Sequence, residues 1–242
     1  GYPYAKLDLI AAPDFAASAM ENPGAIVYRD SLLLLGDAPS EERLRKFDSI
    51  HAHELAHQWF GNLVTSAWWE DIWLNESFAD WLAAKMLSRL YPGRGFDKDI
   101  SRGARTAMAL DAGANVRAVR QPIRTQQDID AAFTPITYEK GAAILTMFEA
   151  YMGADKFRAA IRHYLQKHAG GTAATEDFLK AITETMGEES VAAALKSFID
   201  QPGAPLATVA WSCPQTGVTI NVSQSRYRPL GAPADAEALW SI

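Results

Sequence analysis

Cysteine is nearly absent: Cys213 is the only one in 242 residues. No intrachain disulfide can form, so no part of the fold depends on an oxidising compartment. Without a His or basic residue near it in sequence, Cys213 reads as a small buried side chain rather than a nucleophile. Long apolar runs are missing too. The all-leucine run at residues 32–35 falls far short of the roughly 20 residues a membrane helix requires. Nor is there a block of Lys and Arg. With a formal charge of −6 and no basic cluster, the chain carries no electrostatic footprint for nucleic acid or anionic membrane. What is present is core material: 48% apolar against 21% charged residues, a balance that excludes general disorder. The chain begins at Gly1 rather than Met, as expected of a piece processed or excised from something longer. Any leading signal would lie upstream, so the compartment is unreadable; a lone cysteine leans toward the cytoplasm.

The first 36 residues read as extended structure, with runs at residues 6–11 and 25–35 separated by Pro13-Asp14 and Pro23-Gly24. From Ser40 the period becomes helical. Ser40 is a candidate N-cap, Glu41 and Glu42 suit the positive end of a helix dipole, and Leu44, Phe47, Ile50 and His51 recur toward Leu63. A tryptophan-rich loop over residues 68–73 leads to a second helix marked by Phe78, Leu82, Met86 and Leu90, which Tyr91-Pro92-Gly93 ends. Further helices are predicted at residues 97–108, 138–151, 155–167, 175–186 and 189–199, so helix dominates. After the break at Pro202-Gly203-Ala204-Pro205, short strands are expected at residues 208–211 and 218–223 around a turn at 214–217. Two strands cannot bury a face alone. Residues 205–242 are therefore expected either to begin an incomplete β-rich, sandwich-like domain or to pack back on the helices.

His53-Glu54-Leu55-Ala56-His57 falls inside the first predicted helix, where residues four apart stand one turn above each other and can share one ion. Eighteen residues separate His57 from Glu76, at the start of the second helix. Two helices joined by a loop can bring that carboxylate beside the imidazoles. His₂Glu plus water is the open set of a catalytic zinc, whereas structural sites close the fourth position with protein ligands and calcium or magnesium sites are oxygen cages. One Zn2+ held by His53, His57 and Glu76 is thus the expected cofactor. Glu54 lies about 100° around the helix from His53, flanking the metal as a candidate base. Asp80, one turn after Glu76, is placed to orient a ligand imidazole. His51, at an i, i+2 offset, faces away from the pair, and His163 and His168 stand alone.

These residues resemble the M1 family of zinc aminopeptidases, within the thermolysin-like gluzincins. The matching features are His53-Glu54-Leu55-Ala56-His57 with its gap to Glu76, Ala19-Met20-Glu21-Asn22 upstream, and Tyr138-Glu139-Lys140-Gly141-Ala142 downstream. Ser18 stands where the family motif opens with glycine, and Pro23 where many members carry tryptophan. The resemblance implies that Ala19 to Asn22 line the substrate cleft on a strand, with Glu21 binding the free α-ammonium of a peptide. It implies that Tyr138 donates its hydroxyl to the developing oxyanion. It also implies missing domains before and after this region that cover the site.

The expectation is therefore an α+β, predominantly helical, thermolysin-like metallopeptidase domain over residues 1–204 with a short N-terminal β region. It would hydrolyse the N-terminal bond of peptides bearing a free amine. A gluzincin endopeptidase, an epoxide hydrolase side activity within the family and a non-catalytic zinc or peptide-binding fragment stay open as alternatives.

Overall fold

The computed structural model describes residues 1–113, 116–213, 217–231 and 238–241. Its first layer is a small sheet. Strand β1 (Asp8–Ala12) runs parallel to β3 (Ala25–Arg29), and the two-residue β2 (Ala19–Met20) pairs antiparallel on the other side, giving the order β1-β3-β2. Alternation along β3 turns Ile26 and Tyr28 inward, both fully buried. The expected extended run at 25–35 ends early: Asp30 starts a helical turn, α1 (Asp30–Leu33), where its side chain accepts from the Ser31 amide at 2.6 Å.

Helix α2 (Glu41–Ala56) starts where expected, with Ser40 Oγ accepting from the Arg43 amide and two glutamates in the first turn. It stops at Ala56 rather than continuing toward Leu63. His57 is its C-cap, and the chain then turns tightly through Gly61 at φ 124°, a left-handed conformation suited to glycine. Strand β4 (Val64–Ser66) and a 3-10 turn at Trp69–Asp71 lead into α3 (Trp73–Leu90). Residues Trp73 through Ala79 are all buried, so α3 begins as a central helix with no solvent face.

Around it pack α4 (Asp99–Asp111), which follows a 3-10 turn at Phe96–Lys98, and the short α5 (Gln126–Asp130). Then come a π-helical turn at Ile136–Lys140 and α6 (Gly141–Met152), α7 (Ala154–His168), α8 (Thr175–Met186) and α9 (Ser190–Ile199). Strand β5 (Gly171–Ala173) pairs parallel with β4. The core is aromatic: Phe78 stacks on Phe60 at 4.6 Å and meets Phe178 edge-on at 5.0 Å. Helix dominates, and the fold class is α+β as expected. No described helix is long and apolar enough to cross a membrane.

Two strands close the chain, β6 (Pro205–Ser212) and β7 (Thr219–Arg226), paired antiparallel and longer than the sequence suggested. Residues 214–216 of the expected turn lie outside the described residues. Cys213 is exposed, not buried: it directly follows Ser212 at the end of the largely exposed β6, and no layer among the described residues covers it. Val209, Trp211, Ile220 and Val222 are likewise exposed. The tail nonetheless returns to the helices, with Trp240 buried against Phe198 and its backbone held by both ends of the Gln224 amide.

Candidate metal centre

The end of α2 and the start of α3 bring three donor atoms to one point. His53 Nε2 and His57 Nε2 are 2.9 Å apart, and Glu76 Oε2 lies 3.3 and 3.4 Å from them. Tetrahedral coordination at Zn–N and Zn–O lengths of about 2.0–2.1 Å separates neighbouring donors by about 3.3 Å, so the set fits that ion. The other ring nitrogens fix which atoms face inward. His53 Nδ1 meets Asp80 Oδ1 at 2.7 Å, and His57 Nδ1 meets the Phe60 carbonyl oxygen at 2.9 Å. Both partners accept, so each Nδ1 carries a proton and it is Nε2 of each ring that turns toward the shared point. Gly61 allows this packing: a Cβ there would sit 3.4 Å from His57 Nδ1 and 3.3 Å from Asn75 Nδ2.

The electrostatics follow from burial and from the packed partners. On Glu76, burial favours the neutral acid, but hydrogen bonds and charge from His53 and His57 overcome it and bring the pKa down to about 2. On His53, burial again opposes charge, yet the bonds to Asp80 and Glu76 pull the pKa up to about 10. Glu54, by contrast, shifts toward its neutral form. Burial pushes its carboxyl up to about 7, aided by the like charges of Glu21 and Glu76 and opposed by the two histidines. Glu54 Oε2 is buried with no hydrogen-bond partner among the described residues. A proton-exchanging carboxyl beside three converging donors can serve hydrolysis.

Tyr138 lies on the π-helical turn, an irregularity frequent at functional sites. Its ring stacks on that of His53, with centroids 5.9 Å apart. Burial raises the phenol pKa, and the charge and hydrogen bond of Glu76 add to the effect, so the hydroxyl stays a donor. A close crossing with α3 seats this turn. Ser77 Oγ donates to the Thr137 carbonyl at 2.6 Å, and any Cβ on Gly141 would overlap Ser77 Oγ.

Among the upstream residues, Ala19 and Met20 form the edge strand β2, and Glu21 and Asn22 follow in the turn. Glu21 is half-buried, and its charge reaches Glu54, His57 and Tyr138. His51 is away from the cluster, bonded through Nδ1 to Tyr28 Oη at 2.7 Å. His163 is exposed and pairs with Glu184. Sequence reading overlooked Gln58, the Phe60 carbonyl and Asn62. The carbonyl has no side-chain signature, but Gln58 and Asn62 follow the two histidines so closely that their polar amides could have drawn attention.

A structure with a His-His-carboxylate cluster between the end of α2 and the buried start of α3 defines a candidate metallohydrolase. The model of the Peptidase family M1 domain matches residues 1–201, and the chain belongs to that family. It is 37% identical over 231 residues to a leucyl aminopeptidase of Saccharolobus solfataricus, covering 95% of this chain and 29% of that protein. Over its whole 242 residues it is 39% identical to aminopeptidase M1-B of Oryza sativa subsp. japonica and 35% identical to aminopeptidase M1 of Arabidopsis thaliana. It spans 27% of the length of each of these two.

Proposed function

We propose that the chain is the thermolysin-like catalytic domain of a zinc aminopeptidase, removing the first residue of peptides with a free N-terminus. The observation that carries this reading is the convergence of His53 Nε2, His57 Nε2 and Glu76 Oε2 beside a buried Glu54 whose Oε2 is unpartnered among the described residues. His53, His57 and Glu76 would hold one Zn2+, which in an open three-ligand site acidifies water and polarises a carbonyl. Asp80 holds the His53 ring in the required tautomer.

Glu54, with its pKa near neutrality, accepts a proton from the attacking water and passes it to the departing amine. Tyr138 donates to the scissile carbonyl oxygen as it becomes negative, a bond worth most in the transition state. Glu21 takes the peptide's α-ammonium, which fixes the distance to the bond that is cut. Ala19, Met20 and Asn22 flank it, and the free edge of β2 suits strand-like pairing by a bound peptide. Residues 1–204 form this catalytic unit, residues 205–242 begin a β-rich domain, and further domains of the parent chain cover the site. The exposed apolar side chains of the β6–β7 hairpin and the 27–29% share of its relatives' lengths support that division.

Incubating the zinc-loaded protein with one peptide in free and N-acetylated forms tests the reading by mass spectrometry. Loss of single residues from the free form alone is expected. Equal internal cleavage of both would make the protein an endopeptidase, and no cleavage with zinc bound would make the isolated chain a non-catalytic zinc domain.

A further inference from the structure

Glu21 can measure the distance to the scissile bond only if its own position is fixed. Yet β2 contributes just the pairs Ala19↔Tyr28 and Met20↔Val27, and this ladder stops before Glu21. Two strand residues paired on one side hold a segment weakly. Backbone bonds from Ala25 N–H to Asn22 and from Asp8 N–H to Gly24 close the following turn, and a side chain just past the end of α2 ties it to the metal ligands. Gln58, fully buried one residue past His57, donates through Nε2 to the Glu21 carbonyl at 3.1 Å and to the Glu54 carbonyl at 3.4 Å. Its Oε1 accepts the Gly24 amide at 2.9 Å and the Tyr2 hydroxyl at 3.4 Å. Asn62 Nδ2 adds a second donor to the same Glu21 carbonyl at 2.6 Å.

The amide of Gln58 has only one workable orientation. Gly24 N–H can only donate, whereas the Glu21 and Glu54 carbonyls can only accept, so Oε1 must face the first and Nε2 the others. One buried group therefore grips both ends of the Glu21-to-Gly24 turn and the α2 backbone at the candidate base. Gly24 completes the turn at φ 68°, where a Cβ would sit 3.0 Å from the Lys6 carbonyl oxygen.

We propose that Gln58, assisted by Asn62, is a positioning residue that fixes the reach from the Glu21 carboxylate to the metal-ligating side chains, and so sets selectivity for peptides with a free amine. This rests on the aminopeptidase reading above. Displacing a binding group by about 1 Å is enough to change a rate or affinity by about 100-fold, so slack in this turn blurs the choice of substrate before it harms metal binding.

The test compares the zinc-loaded wild type with Gln58→Met, which keeps the side-chain length and removes every hydrogen bond. Leu195→Ala, in the remote α9 core, serves as a destabilised control. Calorimetry, with Glu54→Gln added to every protein so that the peptides stay whole, measures binding of Leu-Ala-Ala and of its N-acetyl form, hydrogen exchange follows the Gly24 amide, and metal analysis gives zinc content. Gln58→Met is expected to retain one zinc, to lose protection at Gly24, and to lower the free-over-acetylated preference about tenfold or more. Leu195→Ala should leave that preference at the wild-type value.

An unchanged preference in Gln58→Met, with Gly24 deprotected, overturns the proposal and leaves the aminopeptidase reading standing. An equal fall in Leu195→Ala also overturns it, because general loosening would then suffice. A wild type without preference for the free amine overturns both. If Gln58→Met does not fold, Asn62→Ala decides: that residue is only partly buried, a reduced preference supports the proposal, and an unchanged one overturns it.

Discussion

Lys140→Met removes a cation from the junction between the Tyr138 turn and the tail. Lys140 Nζ lies 2.8 Å from Asp111 Oδ2 and donates to the carbonyls of Gly203 at 2.9 Å and Gln201 at 3.4 Å. The lysine side chain is 11% exposed and the aspartate 2%. Burial pulls the Lys140 pKa down, and the charge and hydrogen bond of Asp111 only partly restore it, so the pair is held under tension from desolvation. Once the lysine is gone, Asp111 keeps a donor in the Gly203 amide at 2.7 Å and the Arg226 guanidinium, 3.1 Å from its backbone carbonyl oxygen, but loses the Lys140 charge. Breaking a buried pair in this way costs about 3–5 kcal/mol, a large share of a total stability of roughly 5–15 kcal/mol.

The double variant Lys140→Met/Asp111→Asn removes both charges, and Asn can still accept from Gly203. It should return to within about 1–2 kcal/mol of wild type, because replacing both members of a buried pair is often close to neutral. Urea unfolding followed by tryptophan fluorescence supplies the four corners of the cycle. A single variant that loses less than about 1 kcal/mol, or a double variant whose loss is the sum of the singles, would show that desolvation of Asp111 is not the governing force.

Glu54→Gln should leave zinc content unchanged and cut turnover by about 10²–10⁴-fold, the usual worth of a positioned proton carrier; near-normal rates would remove Glu54 from the mechanism. Tyr138→Phe should lower kcat by about 10²–10³-fold with little change in zinc content, as expected on losing one oxyanion donor. Asp80→Asn keeps an acceptor near His53 Nδ1 but loses the charge, and a competing chelator should report zinc binding weakened about 10–100-fold; equal affinity would rule out its orienting role. Because Asp80 and Glu76 outweigh burial and raise the His53 pKa to about 10 in the metal-free chain, the ring must shed a proton when it takes an ion. Zinc should therefore bind more tightly at pH 8 than at pH 6, a trend that titrations at the two pH values would read directly.

Local signals were legible where local physics decides. The Ser40 cap, the Tyr91-Pro92-Gly93 stop and α8 at Thr175–Met186 follow from capping chemistry, a missing amide proton and a clean apolar stripe. The run at 25–35 misled, because Arg29-Asp30-Ser31 interrupts its apolar pattern and the Asp30 side chain, accepting from the Ser31 amide, starts a helical turn there. Helix α2 ended early for a tertiary reason: the chain must turn at Gly61 so that the Phe60 carbonyl meets His57 Nδ1. Cys213 was misplaced because burial depends on a neighbouring layer, and composition says nothing about which strands lack one.

Side-chain chemistry and helical spacing, both written in the sequence, determined which residues could share an ion: His53 and His57 one turn apart, with Glu54 between them. Only the tertiary structure decided that Glu76 reaches them, that Asp80 and the Phe60 carbonyl select the nitrogen each ring presents, and that Gln58 ties Glu21 to the same helix. Those contacts join residues up to 37 positions apart. Their distances depend on how α2, α3 and a two-residue strand pack, and spacing along the chain carries no record of that.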